Sequence, residues 1–257
     1  MGIRLTVATA ALVTAVASSA AAQVSDEPGP TLQFGVAYEA LSRGLDPWRS
    51  AILEASGAPK RNQTLYGAVR ETTRFSRLDH EMMAGFRQVV SPRLTVVIEG
   101  EASPSHHVSP LWSGLGQVEL VAGGGWNVQA GLRHRTYESA SVNLGAMTVE
   151  RYWGRYRGAY TLYLSHLPGE GSSASHRAHG DYYYDRLSSS IGVSLAAGRE
   201  LEHVEPGGVL RTAVRSAALV GRQWLTSSWF VRYDALVHEQ GTLYTRTRVS
   251  ASLGHRF

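Results

Sequence analysis

Cysteine is absent from the 257 residues. That excludes a disulfide framework and thiolate metal centres. It suits an oxidising compartment without requiring one. Long apolar runs are scarce as well. Beyond residue 22 no stretch reaches the roughly 18 apolar residues that mark a transmembrane helix. Nor is there a block of like charge. The formal net charge is +4 and the charges are scattered, so no nucleic-acid partner is expected. Catalytic signatures are missing too. The chain has no G-x-S-x-G and no H-E-x-x-H. His106 and His107 are adjacent, and His176 and His179 are three apart. Both spacings send the side chains to opposite faces of a strand. No catalytic residue, metal site or cofactor is expected.

What is present begins with an export signal. Met1–Arg4 is short and basic, Leu5–Val16 is apolar apart from threonine, and Ala20 and Ala22 form an A-x-A before Gln23. This is the order of a secretory signal peptide. Residues 1–22 are therefore read as a leader, 23–30 as a flexible lead, and 31–257 as the structural unit.

That unit alternates. In Leu32–Glu39 the even positions are apolar and the odd ones small or polar. Residues two apart on a strand share a face, so the strand has one greasy and one wet side. The rhythm returns at Leu94–Ala102, Trp126–Arg135, Tyr156–Leu164, Trp229–His238 and Arg246–Phe257. Segments of this kind begin near Thr31, Trp48, Thr64, His80, Leu94, Trp112, Trp126, Val142, Arg155, Ser175, Ser188, Leu210, Trp229 and Leu243. Each is about as long as the roughly 9–11 residues that cross a bilayer as a tilted strand. The pattern predicts an all-β fold, a transmembrane antiparallel up-and-down β-barrel of about 14 strands. Twelve is the alternative count, because the second and third segments alternate poorly. One set of connections is tight, at 90–93, 122–125, 153–154 and 185–187. The alternate set reads as longer loops, at 72–79, 103–111, 167–174 and 201–209. Trp48, Trp112, Trp126, Trp153, Trp224 and Trp229 lie at or near strand ends, where a barrel places its interfacial aromatic girdles. A soluble sandwich would more often put tryptophan mid-strand.

Several segments, in order, resemble the YaiO-type outer-membrane β-barrel family. They are Tyr66–Phe75, Glu101–His106, Gly131–Tyr137, Glu150–Arg157, Ala174–Arg177 and His238–Gly241. The resemblance implies a barrel in the outer membrane of a Gram-negative bacterium, in contact with its lipid, and no established chemistry. Phe257 resembles the terminal aromatic that such barrels present to the assembly machinery. His255 departs from the apolar or aromatic residue usual two positions earlier. Relatives that carry periplasmic helical repeats suggest, by analogy, a link to export of cell-surface glycans.

The wet face is the candidate lumen. It comprises Glu39, Arg87, Glu99, Glu101, Arg133, Arg135, Arg151, Arg157, Arg232, Asp234, Arg246 and Arg248. Such a set either lines a passage for a polysaccharide or a small hydrophilic solute, or neutralises itself and plugs the barrel. Three functions remain: a channel, a closed barrel acting in adhesion, recognition or envelope integrity, and an outer-membrane hydrolase. Folding the last hairpin about Gly241 sets Asp234 opposite Arg248. Cleavage after Ala22 should make Gln23 the mature N-terminus. Mass spectrometry of the outer-membrane fraction checks this, and an intact Met1 would refute it.

Overall fold

The computed structural model describes residues 7–8, 29–185, 189–204 and 208–257. The leader and most of the lead fall outside them, apart from Val7–Ala8, which pairs with Val204 and His203. Fourteen antiparallel strands follow. They are β1 (Thr31–Leu41), β2 (Trp48–Lys60), β3 (Gln63–Arg74), β4 (Arg77–Ser91), β5 (Leu94–Ala102), β6 (Trp112–Gly123) and β7 (Trp126–Thr136). The second half comprises β8 (Ser141–Trp153), β9 (Tyr156–Leu167), β10 (Gly171–Tyr183), β11 (Ser190–Val204), β12 (Gly208–Trp224), β13 (Trp229–Gln240) and β14 (Tyr244–Arg256). Each pairs with its sequence neighbours, and β14 closes the sheet on β1 from Arg256↔Thr31 to Arg246↔Leu41. Every strand thus has two partners, as backbone amides in hydrocarbon require.

Period-two alternation then sorts the side chains. Phe34, Val69, Ile98, Leu132, Met147, Leu164, Leu195 and Val249 face outward and are each more than two-fifths exposed. Glu39, Glu99, Arg133, Glu150 and Arg246 face inward and are buried. The molecule is inside-out relative to a soluble domain, as a lipid solvent demands. Where the pattern was weakest, on β2 and β3, the interior positions mix types. Ser50, Ile52 and Glu54 face Thr72, Arg70 and Ala68 across the pair. The count is nonetheless fourteen, not twelve.

The start of the first barrel strand and the end of the last meet at one rim, the terminal rim, where the Phe257 amide donates to the Pro30 carbonyl. Connections at this terminal rim are short, for example residues 61–62, 92–93, 124–125 and 154–155. The far rim departs from expectation. Among the described residues, only 103–111 form a long loop there. The stretch 72–79 is continuous strand around a two-residue turn in which Phe75 and Ser76 both adopt positive φ (50° and 59°). Thr72, Arg74 and Asp79 are interior strand positions, and polar residues of this kind resemble a loop in sequence. The stretch 167–174 likewise contracts to residues 168–170.

Two details fix register. Tyr66 lies across Gly85 on the facing strand, where any Cβ would overlap the ring. The last hairpin turns through Gly241–Leu243, with Gly241 at φ 51°. Asp234 therefore faces Ser250, and Arg248 faces Leu236. The expected Asp234–Arg248 register is displaced by two residues, an even step that leaves every side chain on its face.

Lipid-facing charge is costly, by roughly 2–4 kcal/mol for arginine at the bilayer midplane. Val249→Arg, on the outward face, should sharply lower insertion yield into liposomes. Ser252→Arg, on the inward face, should insert nearly as well as wild type. Equal yields would contradict the register of β14.

Candidate functional site

The lumen is built from inward positions on all fourteen strands, and its two halves differ. On the β3–β7 side the interior is cross-linked. Arg133 hydrogen-bonds Glu99, approaches Glu101 at 3.6 Å and donates to Ser113 Oγ at 3.2 Å. Ser113 donates to Glu101 (2.9 Å), and Tyr66 Oη to Glu99 (3.2 Å). Arg87 pairs with Glu119 at 3.2 Å. Arg133, Arg135 and Glu99 are all buried. Charges so placed are tolerated because each has opposite charge and hydrogen bonds around it.

The long loop is drawn into the same half. Asp79 is fully buried and accepts the backbone amides of His107, Val108 and Ser109, each at 2.8 Å, together with His107 Nδ1 at 2.9 Å. Ser109 donates to Glu81 (2.6 Å), which also pairs with Arg70 at 3.1 Å. Residues 103–111 thus lie pinned to β4 at the far mouth.

The other half holds a cavity of about 240 Å³. Its walls come from β1–β3 and β9–β14 and carry Arg70, Arg74, Arg157, Arg177, Arg222, Arg232 and Arg248 against Glu39, Glu54, Asp181 and Asp234. Seven arginines face four carboxylates, so the wall is net positive. Arg157 bridges Glu150 (2.7 Å) and Asp181 (2.9 Å), and His179 contacts Asp181 at 2.9 Å. Asp234 holds Arg248 at 3.3 Å and accepts a hydrogen bond from Ser250. At the far end Arg246 pairs with Glu39 at 3.1 Å.

Of the expected lumen set, Glu39, Arg87, Glu99, Glu101, Arg133, Arg135, Arg157, Arg232, Asp234, Arg246 and Arg248 occupy inward positions. Arg151 does not. It pairs with Trp126 and Gly158 on the outer wall, and its guanidinium lies 5.1 Å from the Trp126 ring centroid. It sits one residue out of phase with the inward Glu150, so parity excludes it from the lumen.

The tryptophans also divide. Trp112, Trp126, Trp153 and Trp229 point outward and are exposed. Trp48 and Trp224, expected at the membrane interface, are instead buried inside, at 1% and 4% exposure. Trp48 faces Glu39 across the pair and is sandwiched by Arg74 (5.0 Å) and Arg246 (5.2 Å). Trp224 packs on Phe230 (4.9 Å) and beneath Arg256 (4.4 Å). Nearness to a strand end sets a residue's height, whereas parity sets its face. His255 behaves as an aromatic: its ring lies 4.6 Å from Trp229 and 4.5 Å from Phe257.

Sequence reasoning missed the Arg70–Glu81 pair and the Glu150–Arg157–Asp181 group. Arg70 and Glu81 stand equally far from the Phe75–Ser76 turn, a signal usable only once that turn is known.

A closed fourteen-stranded barrel with an apolar wall and a charged lumen defines an outer-membrane β-barrel of the kind that includes porins and channels. A profile of the YaiO membrane beta barrel domain matches residues 30–202, and the chain belongs to that family. A comparison with curated proteins finds no match. Among solved structures, a bacterial polysaccharide outer membrane secretin aligns with TM-score 0.56 at 9% identity, covering 89% of this chain and 98% of its own. The CymD monoaromatic hydrocarbon channel aligns with TM-score 0.56 at 8% identity, covering 90% and 89%. The translocator domain of the autotransporter NalP from Neisseria meningitidis aligns with TM-score 0.50 at 9% identity, covering 95% and 94%. At these identities the likeness is one of fold.

Removing the centre of a buried ionic group strands its partners, at a cost of about 3–5 kcal/mol. Arg157→Met should lower the urea midpoint of the detergent-folded barrel by leaving Glu150 and Asp181 facing each other. Arg157→Lys, which keeps the charge, should lose less than Arg157→Met. An equal deficit for the two variants would place the loss in packing instead.

Proposed function

We propose that the barrel is a passive channel for small hydrophilic anions. The observation that carries this reading is the arginine-rich cavity. It is lined from Gln33 to Glu39 along β1, roughly 20 Å of strand at about 3.3 Å per residue and, at a tilt of roughly 40°, about 15 Å along the barrel axis. That is rather more than half of the roughly 25 Å apolar band of a membrane barrel. Arginines fixed along a water-filled path lower the energy of an anion and raise that of a cation. The cavity is smaller than the roughly 300–1,000 Å³ of drug-sized pockets, so it fits small solutes. An acidic polysaccharide is the chain form of the same chemistry, but would require the wall arginines to swing aside. The reading involves no catalytic step.

A second reading has its own support. The cross-linked β3–β7 half and the pinned loop are what a closed barrel would use to stiffen itself, leaving its outer surfaces to act in adhesion or envelope integrity. Single-channel recording in planar bilayers separates the two. The channel reading expects discrete conductance with a reversal potential favouring chloride over potassium. Asp234→Asn, which removes one wall carboxylate, should increase that preference with little change in stability. Absence of conductance, with clear destabilisation by Asp234→Asn, would establish the closed barrel. Cation selectivity would overturn the assignment to anions.

A further inference from the structure

The outer wall is apolar over most of its height, and its charged residues lie towards the rims, where one group consists of arginines from two adjacent strands. Arg199 on β11 and Arg211 and Arg215 on β12 all occupy outward positions and are exposed. In the β11–β12 pairing Arg199 faces Ala213, so Arg211 and Arg215 are its two diagonal neighbours. Diagonal neighbours across an antiparallel pair lie roughly 7–8 Å apart. The directly facing residues, Ala213 opposite Arg199 and Ala197 opposite Arg215, are small and leave room above the sheet. Arg211 Nη2 donates to the Ser172 carbonyl on β10 (2.9 Å), which carries its guanidinium across β11, the strand of Arg199. Glu239 faces Arg215 from β13. Among the described residues none of the three arginines forms an ion pair within 4 Å. Three like charges gathered on one patch repel, Glu239 offsets part of that repulsion, and a phosphate between the arginines would relieve the rest.

Height identifies the anion. Trp229 marks the terminal-rim girdle on β13, and Glu239 is ten residues further along that strand. At about 3.4 Å per residue and a tilt of roughly 40°, that separation is about 26 Å along the barrel axis. This matches the roughly 25 Å height of the apolar band. The Arg215–Glu239 row therefore lies where hydrocarbon gives way to head groups, on the side opposite the termini. Immediately below it the outward positions are Val193, Leu195, Leu219 and Val237, an acyl-chain surface. A ligand with phosphate at the level of the arginines and hydrocarbon beneath fits both parts. Arginine binds phosphate bidentately.

We propose that Arg199, Arg211 and Arg215 form a binding site for the phosphorylated head group of an outer-leaflet glycolipid, its acyl chains lying on the β11–β13 wall. The site is separate from the lumen and does not depend on whether the barrel conducts.

The test uses the full-length barrel purified in detergent, with bis-phosphorylated lipid A as probe and native mass spectrometry as readout. Wild type should retain one lipid A per barrel. The Arg199→Gln/Arg215→Gln double variant should lose retention by tenfold or more while keeping its heat-modifiable migration on gels. Arg151→Gln, an outward arginine at the terminal rim, should retain lipid A like wild type. Dephosphorylated lipid A should bind at least tenfold more weakly than the phosphorylated form. Equal retention by the double variant, or equal binding of the dephosphorylated lipid, would overturn the proposal. Displacement of lipid A by millimolar inorganic phosphate would overturn it too, by showing a site for free anion. A double variant that failed to fold would be replaced by Arg199→Lys/Arg215→Lys. That pair keeps charge but loses the guanidinium fork, and it is expected to bind more weakly; undiminished binding would overturn the proposal.

Discussion

Everything in this molecule depends on one constraint: no backbone amide in the hydrocarbon layer can be left without a partner. The β14–β1 pairing meets it, running for eleven residue pairs from Arg256↔Thr31 to Arg246↔Leu41. Once the sheet closes, every strand has one face to lipid and one to the interior. The outer face must be apolar because it meets hydrocarbon, whereas the inner face is free to carry the polar residues. The buried charges of the lumen are thus the counterpart of the exposed leucines and valines outside.

The interior then has to manage charge in a confined space. It does so unevenly. Around Arg133 and Glu81 the groups are matched closely enough to lock strands and a loop together. Around Arg177, Arg222 and Arg232 positive charge exceeds negative, and space remains. Matched charge rigidifies, and an excess of one sign around a cavity favours counter-ions there. The same residue types therefore bind one side of the interior together and line a cavity on the other.

Much of this was legible in the chain because lipid enforces a strict period of two. Segments that alternate cleanly, such as β1, β9, β13 and β14, have their faces assigned by eye, and eleven of the twelve expected lumen positions are inward. Legibility fails where a property depends on more than one strand. Arg151 and Glu150 are adjacent and both polar, and only the pairing of Arg151 with Trp126 shows which turns outward. Trp48 stands in a stretch with little contrast between faces, so its height was readable but its side was not. The 72–79 turn escaped notice because interior strand residues and loop residues are both polar. The Gly241 hairpin was placed one residue off at its centre, an error that parity forgives.

The far rim has a further consequence. Beyond Gly198 and Val214 the β11–β12 hairpin continues to Val204 and Gly208 without β10 or β13 beside it in the ladder. The neighbouring turns are short, and the long loop is tucked against Asp79. A bulky visitor such as a phage tail fibre, an antibody or a protease would meet, among the described residues, this hairpin as a blade, edged by Val7–Ala8, standing beside short turns. Sequence drift driven by such encounters would accumulate on that blade, while the rest of the crown, committed to holding strands together, would stay constrained.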